Sequence, residues 1–277
     1  MSDPPFMPPG GVKVVPSGFR LAFALILFLS FPALGDDIPD APLKPPPIDE
    51  FLVIPLRVHI LSSSDQPDID CGLTDADLKR VVGKVNGIWH QAGVHFGLEP
   101  IVREPAARQA RYKAAIDAEP EDGLTPLRLL APSDSRSGEG VDVYYIRQFA
   151  VNGVYLGNRM AFVQETAKLR PVPGGIDEPL PRVTAHELGH ALGLAHRQDR
   201  TNLLASGTTG TTLNDAEVAR AREKARAMPG ALPLADLRKK AEESAEPEVA
   251  GRLRGWIEEV SGSIEATPTG SNSQGGA

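Results

Sequence analysis

The chain has 277 residues, 41% of them hydrophobic, which is enough to bury a substantial core in one large or two small domains. Its formal net charge is -7 and it carries no lysine and arginine stripe, so the composition argues against nucleic acid as a partner. The only cysteine, Cys71, cannot form a disulfide within the chain. The fold must therefore be held by its packed core.

An apolar run at residues 19–31 dominates the N-terminal region, with Lys13 and Arg20 at its start and Gly35 shortly after it. A basic region, a short apolar core and small residues in this order are typical of a secretory signal peptide. Residues 1–35 are therefore predicted to be removed, and the protein to be secreted or otherwise extracytoplasmic. An uncleaved membrane anchor is the alternative, although the run is shorter than the ~20 apolar residues that span a bilayer. The membrane is a partner only if this segment stays uncleaved.

The next part of the chain predicts a linker followed by the first strands and helix. Residues 36–50 contain five prolines and several acids, which favours an extended linker. Residues 51–61 are predicted to form a strand. Thr74 and the acids that follow it predict a helix start, and an apolar stripe through Trp89 predicts a helix that packs on a sheet. Residues 94–102 are predicted to form a second strand.

The middle of the chain is less regular. Residues 106–118 are predicted to form a helix, and 132–140 are predicted to form a flexible loop. Residues 141–146 are dense in β-branched and aromatic side chains, which predicts a buried strand. Residues 154–164 are predicted to form another strand, interrupted at Gly157 and the asparagine after it.

The strongest chemical signal is the pattern H-E-x-x-H-x-x-G-x-x-H. His186 and His190 are four residues apart, so one face of an α-helix would present both to a single metal ion. His196 can join them only if the helix ends and the chain turns back, which Gly193 permits because glycine accepts a left-handed backbone. Three histidines leave one zinc position open to water, as in catalytic sites. Glu187 points away from the metal and is free to act as a base.

At these residues the sequence resembles the metzincin zinc metallopeptidases, whose signature has the same histidines, glutamate and glycine in the same order. The resemblance implies an α/β (α+β) fold with a twisted mixed sheet, an antiparallel edge strand and a zinc-binding helix. It also implies that the strand just before that helix binds the substrate backbone at the sheet edge. A plain edge strand that binds no ligand is the alternative. The implied substrate-binding residues are Met160, Ala161, Phe162 and Val163.

The segment 202–207 (NLLASG) resembles the metzincin turn that passes beneath the metal, with Leu204 in the place of the family's methionine. Leucine for methionine is a mild, volume-conserving exchange, so Leu204 and Gly193 are expected to support the site without binding metal. Some relatives place a tyrosine after this turn, and none occurs here after Tyr155. The residues from 213 to about 228 predict the last helix of the domain, with Asn214 as its cap.

These elements predict a catalytic domain at 51–230, bounded by the Pro229-Gly230 dipeptide. A C-terminal helical extension is predicted at 231–264, and a disordered tail at 265–277.

The predicted function is a secreted zinc-dependent endopeptidase that takes protein or peptide substrates and holds one catalytic Zn²⁺. In this interpretation a zinc-activated water attacks the peptide bond and Glu187 is the general base. Two alternatives stay open at this point: an ordinary helix with incidental histidines, and a secreted zinc-binding module that captures peptides without cutting them. A peptide-capture module would have no use for Glu187 or for the open zinc position, which argues against the second alternative.

Overall fold

The fold is built around the central strand β1 (Leu52–Ser62), which is buried along nearly its whole length. A strand reaches this degree of burial when both faces of its sheet are covered. The computed structural model describes residues 45–118 and 124–265. The signal peptide predicted at 1–35, the linker up to residue 44 and the tail from 266 onward lie outside the described residues.

Six more strands join β1: β2 (Val94–Leu98), β3 (Val102–Pro105), β4 (Val141–Ile146), β5 (Gly153–Tyr155), β6 (Met160–Gln164) and β7 (Leu232–Pro233). The strands form one mixed sheet in the order β2-β1-β4-β6-β5. Most neighbours are parallel, whereas the edge strand β5 runs antiparallel to β6. Two short strands complete the sheet: β3 runs parallel to β1 and β7 antiparallel to it.

The main core lies between one face of the sheet and three helices. The first of them, α1 (Asp75–Trp89), begins with a capping box in which Thr74 and Asp77 satisfy each other's backbone N–H groups. Trp89 at the end of α1 is fully buried and donates its indole N–H to the carbonyl of Ala185, 3.3 Å away. This bond joins α1 to the helix α3 (Pro179–Ala191), which carries the predicted metal ligands.

A second buried contact fixes α3 to the sheet. The hydroxyl of Thr184 donates to the Leu180 carbonyl at 2.9 Å, so it accepts the 2.8 Å hydrogen bond from the hydroxyl of Tyr145 in β4. The helix is therefore held from both sides, by α1 and by β4. A helix fixed in this way can present side chains in a set geometry.

The predicted C-terminal extension packs on the rest of the fold. Two helices, α5 (Leu234–Glu243) and α6 (Pro247–Glu265), share a buried cluster with Phe51 and Val53 of the first strand region. Trp256 donates its indole N–H to the Leu98 carbonyl at 3.0 Å and so covers the outer side of β2. The helices not yet named are α2 (Gln109–Ala118) and α4 (Asp215–Arg226). In the part of the chain that is described, no helix has the length and apolarity to cross a membrane.

The structure confirms an α/β architecture with a mixed sheet, but two segments predicted as single strands each form two strands. The strand predicted at 94–102 is two strands, β2 and β3, which pair with successive parts of β1. Pro100 lies between them, and proline has no N–H to continue a ladder. The strand predicted at 154–164 is a hairpin, because Gly157, Asn158 and Arg159 all have positive φ (78°, 51° and 59°) and turn the chain back.

The hairpin overturns the position predicted for the substrate-binding strand. β6 has β4 on one side and β5 on the other, so it lies inside the sheet and not at its edge. Its backbone groups are used by these neighbours. The edge is formed by β5, which sequence analysis did not separate from β6. The residues placed inside the sheet are Met160, Ala161, Phe162 and Val163.

Candidate metal centre

Two of the predicted ligands are held by α3. His186 and His190 lie one helical turn apart and face the same way, as the i, i+4 spacing requires. Their Nε2 atoms are 3.1 Å apart. The rings are nearly perpendicular, at 89°, so the two nitrogens approach a common point without the rings stacking.

The third ligand joins them because α3 ends abruptly. Gly193 has φ of +77°, and the N–H groups of Gly193 and Leu194 donate back to His190 and Gly189, both at 3.0 Å. These two bonds form a Schellman motif, which reverses the chain at a helix end. His196 is thereby placed with its Nε2 3.2 Å from that of His190. One ligand nitrogen from each of the three histidines lies within 4.8 Å of the other two.

The hydrogen bonds of two histidines bear on which ring nitrogen carries the proton. The Nδ1 of His186 is 2.8 Å from the Leu203 carbonyl, and the Nδ1 of His190 is 2.8 Å from the Leu194 carbonyl. A carbonyl only accepts, so the Nδ1 of His190 carries hydrogen and its neutral Nε2 presents a lone pair. The Nδ1 of His186 also lies 3.0 Å from Arg182 Nη1, which only donates, so its tautomer is set by what Nε2 binds. With a metal ion on Nε2, the Nδ1 of His186 carries the hydrogen that the Leu203 carbonyl accepts. Lone pairs that converge at this distance repel unless a cation lies between them.

The spacing of these nitrogens suits a tetrahedral metal ion. Ligands at the usual Zn–N distance of about 2.0–2.1 Å are about 3.3 Å apart. The separations of 3.1 and 3.2 Å are close to that value. Three neutral imidazoles, two of them oriented by backbone carbonyls, are the donor set and support that zinc takes in proteins. The residues could therefore hold a metal ion, and zinc is an ion that fits them.

The surroundings keep the histidines neutral. Burial lowers the pKa of His186 to about 2 and that of His190 to about 4. Burial also lowers the pKa of the more exposed His196, and the Arg182 guanidinium contributes in the same direction. Metal binding needs the neutral form, so protons compete weakly for this site near neutral pH.

Glu187 follows His186 in α3 but is not a member of the metal-binding group found among the described residues. Its side chain is 4% exposed, and burial raises its pKa to about 8, against a backbone hydrogen bond from Tyr155 and the charge of Arg182. The carboxylate touches the edge strand: a Cβ added to Gly153 would lie 2.7 Å from its Oε1. A buried carboxylate that binds no metal is thus held against β5.

The turn at 202–207 passes beneath the histidines. Leu204 is fully buried, and its Cδ1 would lie 3.2 Å from a Cβ added to Gly189 of α3. The carbonyl of Leu204 accepts from the Arg197 N–H at 3.0 Å, which ties the turn to the residue after His196. Leu204 therefore packs under the helix between the first two ligands, where the resemblance places a supporting residue.

A buried glutamate accepts hydrogen bonds from the turn at 202–207 and from the residue after His196. Glu217, at the start of α4, accepts from the Asn202 side chain at 2.8 Å and from Arg197 Nε at 2.5 Å. The Oδ1 of Asn202 in turn accepts the Leu204 N–H at 2.7 Å. Sequence analysis identified the cap at Asn214 but not this second use of Glu217, because its partners are distant in the sequence.

Sequence analysis also missed Arg182 and Gly153. Arg182 lies four residues before His186, so the helical spacing that paired the ligands could have placed it on the same face. Gly153 lies one residue before the strand predicted at 154–164 and so was not placed in the sheet. The other three histidines are not in the metal group; His59, predicted to be a strand residue, lies in β1 between the carboxylates of Glu104 and Asp142.

Compared with known proteins, the chain matches no family model and no curated protein. The assignment of the site therefore depends on its own geometry and chemistry.

We predict that Gly193→Ala weakens zinc binding by roughly tenfold. Alanine in the left-handed region costs about 1–2 kcal/mol, and relief of this strain would move the Leu194 carbonyl and His196. The matched control is Gly174→Ala, because Gly174 has a similar φ of +71°, open space around it and no metal ligand after it. Urea unfolding in chelator should show similar losses for both variants, and chelator competition should show weaker zinc binding only for Gly193→Ala. Equal zinc affinities would contradict the role of this turn.

We also predict that zinc binding resists acid. Three histidines at the ordinary pKa of ~6.5 would lose roughly a thousandfold in affinity by pH 5.5. Here the lowered pKa values, about 2 for His186 and about 4 for His190, keep both neutral at that pH. The expected loss between pH 7.5 and 5.5 is no more than about tenfold, measured by competition with a calibrated chelator. A loss near a thousandfold in folded protein would show that the histidines titrate normally.

Proposed function

We propose that this chain is a secreted zinc-dependent endopeptidase. One observation carries the proposal: three Nε2 atoms converge, and the residue that follows the first of these histidines in α3, Glu187, is a buried carboxylate that is not one of the ligands. A structural zinc site uses a fourth protein ligand, whereas a catalytic site leaves the fourth position to water or substrate. No fourth His, Cys, Asp or Glu joins the group within the described residues.

The proposed roles divide between the metal and the chain. When bound, zinc would acidify a water molecule and polarise the carbonyl of the peptide bond to be cut. Glu187 would accept the proton of that water and later deliver it to the nitrogen of the leaving amine. Burial raises the pKa of Glu187 to about 8, which strengthens it as a proton acceptor. The nearby charge of a bound cation would lower this pKa and favour the carboxylate form.

The edge strand supports a peptide as substrate. In the hairpin, Asn152 accepts from the Gln164 N–H and Leu156 donates to the Met160 carbonyl, both at 2.9 Å. Because residues alternate along an antiparallel pair, the backbone of Gly153 between them faces the open edge of the sheet. An extended peptide could pair there by strand addition, next to Glu187. β5 thus takes the role that the resemblance had placed on β6.

The lack of a side chain at Gly153 also matters for Glu187. A Cβ there would lie 2.7 Å from both Glu187 Oε1 and Val183 Cγ1. These distances are shorter than real Cβ contacts, so any larger residue would displace the carboxylate or the strand. The close approach explains why this edge position is a glycine.

The test compares purified mature protein with Glu187→Ala and Glu187→Gln on a denatured protein mixture. Wild type should produce fragments that disappear when a chelator is added. Both variants should keep their zinc and lose at least about a hundredfold in cleavage rate, because proton transfer is lost. Cleavage is followed by mass spectrometry of the fragments, and zinc content by elemental analysis.

The matched control is Glu99→Gln, because Glu99 is also a buried carboxylate but pairs with Arg57 at 2.7 Å, away from the histidines. This variant should cleave at the wild-type rate. A wild type that binds zinc and peptide but releases no fragments would favour the peptide-capture module. Near wild-type cleavage by Glu187→Ala would overturn the assignment of the base. N-terminal sequencing of the exported protein tests the predicted removal of residues 1–35.

A further inference from the structure

A buried arginine lies directly beside the metal ligands. Arg182 is in α3, one turn before His186, and is only 2% exposed. Among the described ion pairs, none involves Arg182. Burial of a cation without a counter-ion costs several kcal/mol unless its N–H groups are well bonded. Neither solubility nor packing therefore explains why Arg182 is buried here.

The guanidinium donates to three backbone carbonyls of a single segment. Its Nε donates to Gly210 at 3.0 Å, and its Nη2 donates to Ala205 at 2.5 Å and to Asn202 at 3.3 Å. This segment, 202–210, contains the turn beneath the metal ligands and belongs to no regular strand or helix. Arg182 thus donates hydrogen bonds to backbone carbonyls that a sheet or helix would otherwise satisfy.

Two of these carbonyls, of Asn202 and Ala205, lie in the sequence on either side of the carbonyl that orients His186. Leu203 lies between Asn202 and Ala205, and its carbonyl is 2.8 Å from the Nδ1 of His186. The Nη1 of Arg182 is also 3.0 Å from this Nδ1. When Nε2 binds a metal ion, Nδ1 carries the hydrogen that it donates to Leu203 and so cannot accept one from Arg182. The arginine acts on His186 through the turn and not by bonding the ring.

The same contacts reach the third ligand. Ala205 forms an isolated bridge with Arg197, the residue that follows His196. The Arg197 N–H donates to the Leu204 carbonyl at 3.0 Å. Arg182 therefore holds the segment against which both His186 and the backbone after His196 are fixed.

We propose that Arg182 is a positioning residue for the metal centre, which clamps the 202–210 segment so that His186 and His196 are oriented before a metal ion binds. Arginine suits this role because its planar fork directs several N–H donors to separate acceptors, whereas lysine has one nitrogen. The inference rests on the proposed zinc site, and it holds whether or not the site cuts peptides.

The chain contains a matched control for this arginine. Arg222 in α4 is 8% exposed and donates to the carbonyls of Ala92, Gly93 and Glu50 at 3.0–3.2 Å. It has the same kind of buried carbonyl contacts, but they join segments that hold no metal ligand. Its loss should lower stability without reaching the histidines.

The experiment compares Arg182→Lys and Arg182→Gln with Arg222→Lys and Arg222→Gln in the full mature chain. Zinc affinity is measured by chelator competition, and unfolding by urea in the presence of chelator. Loss of an outer support of a ligand costs about 10–100-fold in metal affinity, so we expect this loss for both Arg182 variants. We expect less than about a threefold change for the Arg222 variants, because their contacts hold no ligand.

Hydrogen–deuterium exchange of the metal-free proteins supplies a readout that does not involve zinc. Peptides covering 202–210 should exchange faster in the Arg182 variants and unchanged in the Arg222 variants. Wild-type zinc affinity in both Arg182 variants would overturn the proposal. So would equal losses of affinity for the two arginines at equal losses of stability.

A measurement on the wild type covers the case in which an Arg182 variant does not fold. By ¹⁵N NMR, the Arg182 Nε–H that donates to Gly210 should exchange slowly with solvent in the metal-free protein. Fast exchange there would show that the clamp does not exist before metal binding, and would contradict the proposal. Failure of the peptidase assignment is separate, because it appears as zinc-bound wild type that releases no fragments.

Discussion

The candidate metal centre depends on one local constraint, the convergence of the Nε2 atoms of three imidazoles. The Leu194 carbonyl places the proton of His190 on Nδ1, and the Leu203 carbonyl can accept the Nδ1 hydrogen of His186, so two Nε2 atoms 3.1 Å apart can both present lone pairs to one cation. Such an arrangement is repulsive by itself and favourable around a cation. The residues around the three histidines hold these nitrogens in place.

The supports come from several parts of the fold. β4 and α1 hold α3 through Tyr145 and Trp89, so the first two ligands stand on a helix that is fixed on both sides. The end of that helix supplies both the reversal that returns His196 and the Leu194 carbonyl that orients His190. The turn at 202–207 is held by two buried charged side chains, because Arg182 donates to the Ala205 carbonyl and Glu217 accepts from the Asn202 side chain. Buried charges of this kind cost stability, and the chain retains them around a site with few regular hydrogen bonds.

The local features of the site could be predicted from the sequence, and the non-local ones could not. The spacing of His186 and His190 and the glycine at 193 depend on helix geometry alone, which is short in range. The edge strand was missed because the hairpin turn uses positive φ at Asn158 and Arg159, and only asparagine of these two favours that conformation. The roles of Arg182 and Glu217 depend on partners about 15–28 residues away, which no local pattern encodes. The α/β class was predictable because buried β-branched runs and an amphipathic helix alternate along the chain.

The central claim is that three imidazoles bind one zinc ion through Nε2. X-ray absorption at the zinc edge, together with metal analysis, tests it on the purified protein. The account predicts about one zinc per chain, with three nitrogens and one further light atom at about 2.0–2.1 Å. It also predicts loss of the zinc, or a changed spectrum, when His196 is replaced by alanine. Substoichiometric zinc after loading, or a spectrum unaffected by His196→Ala, would contradict the claim.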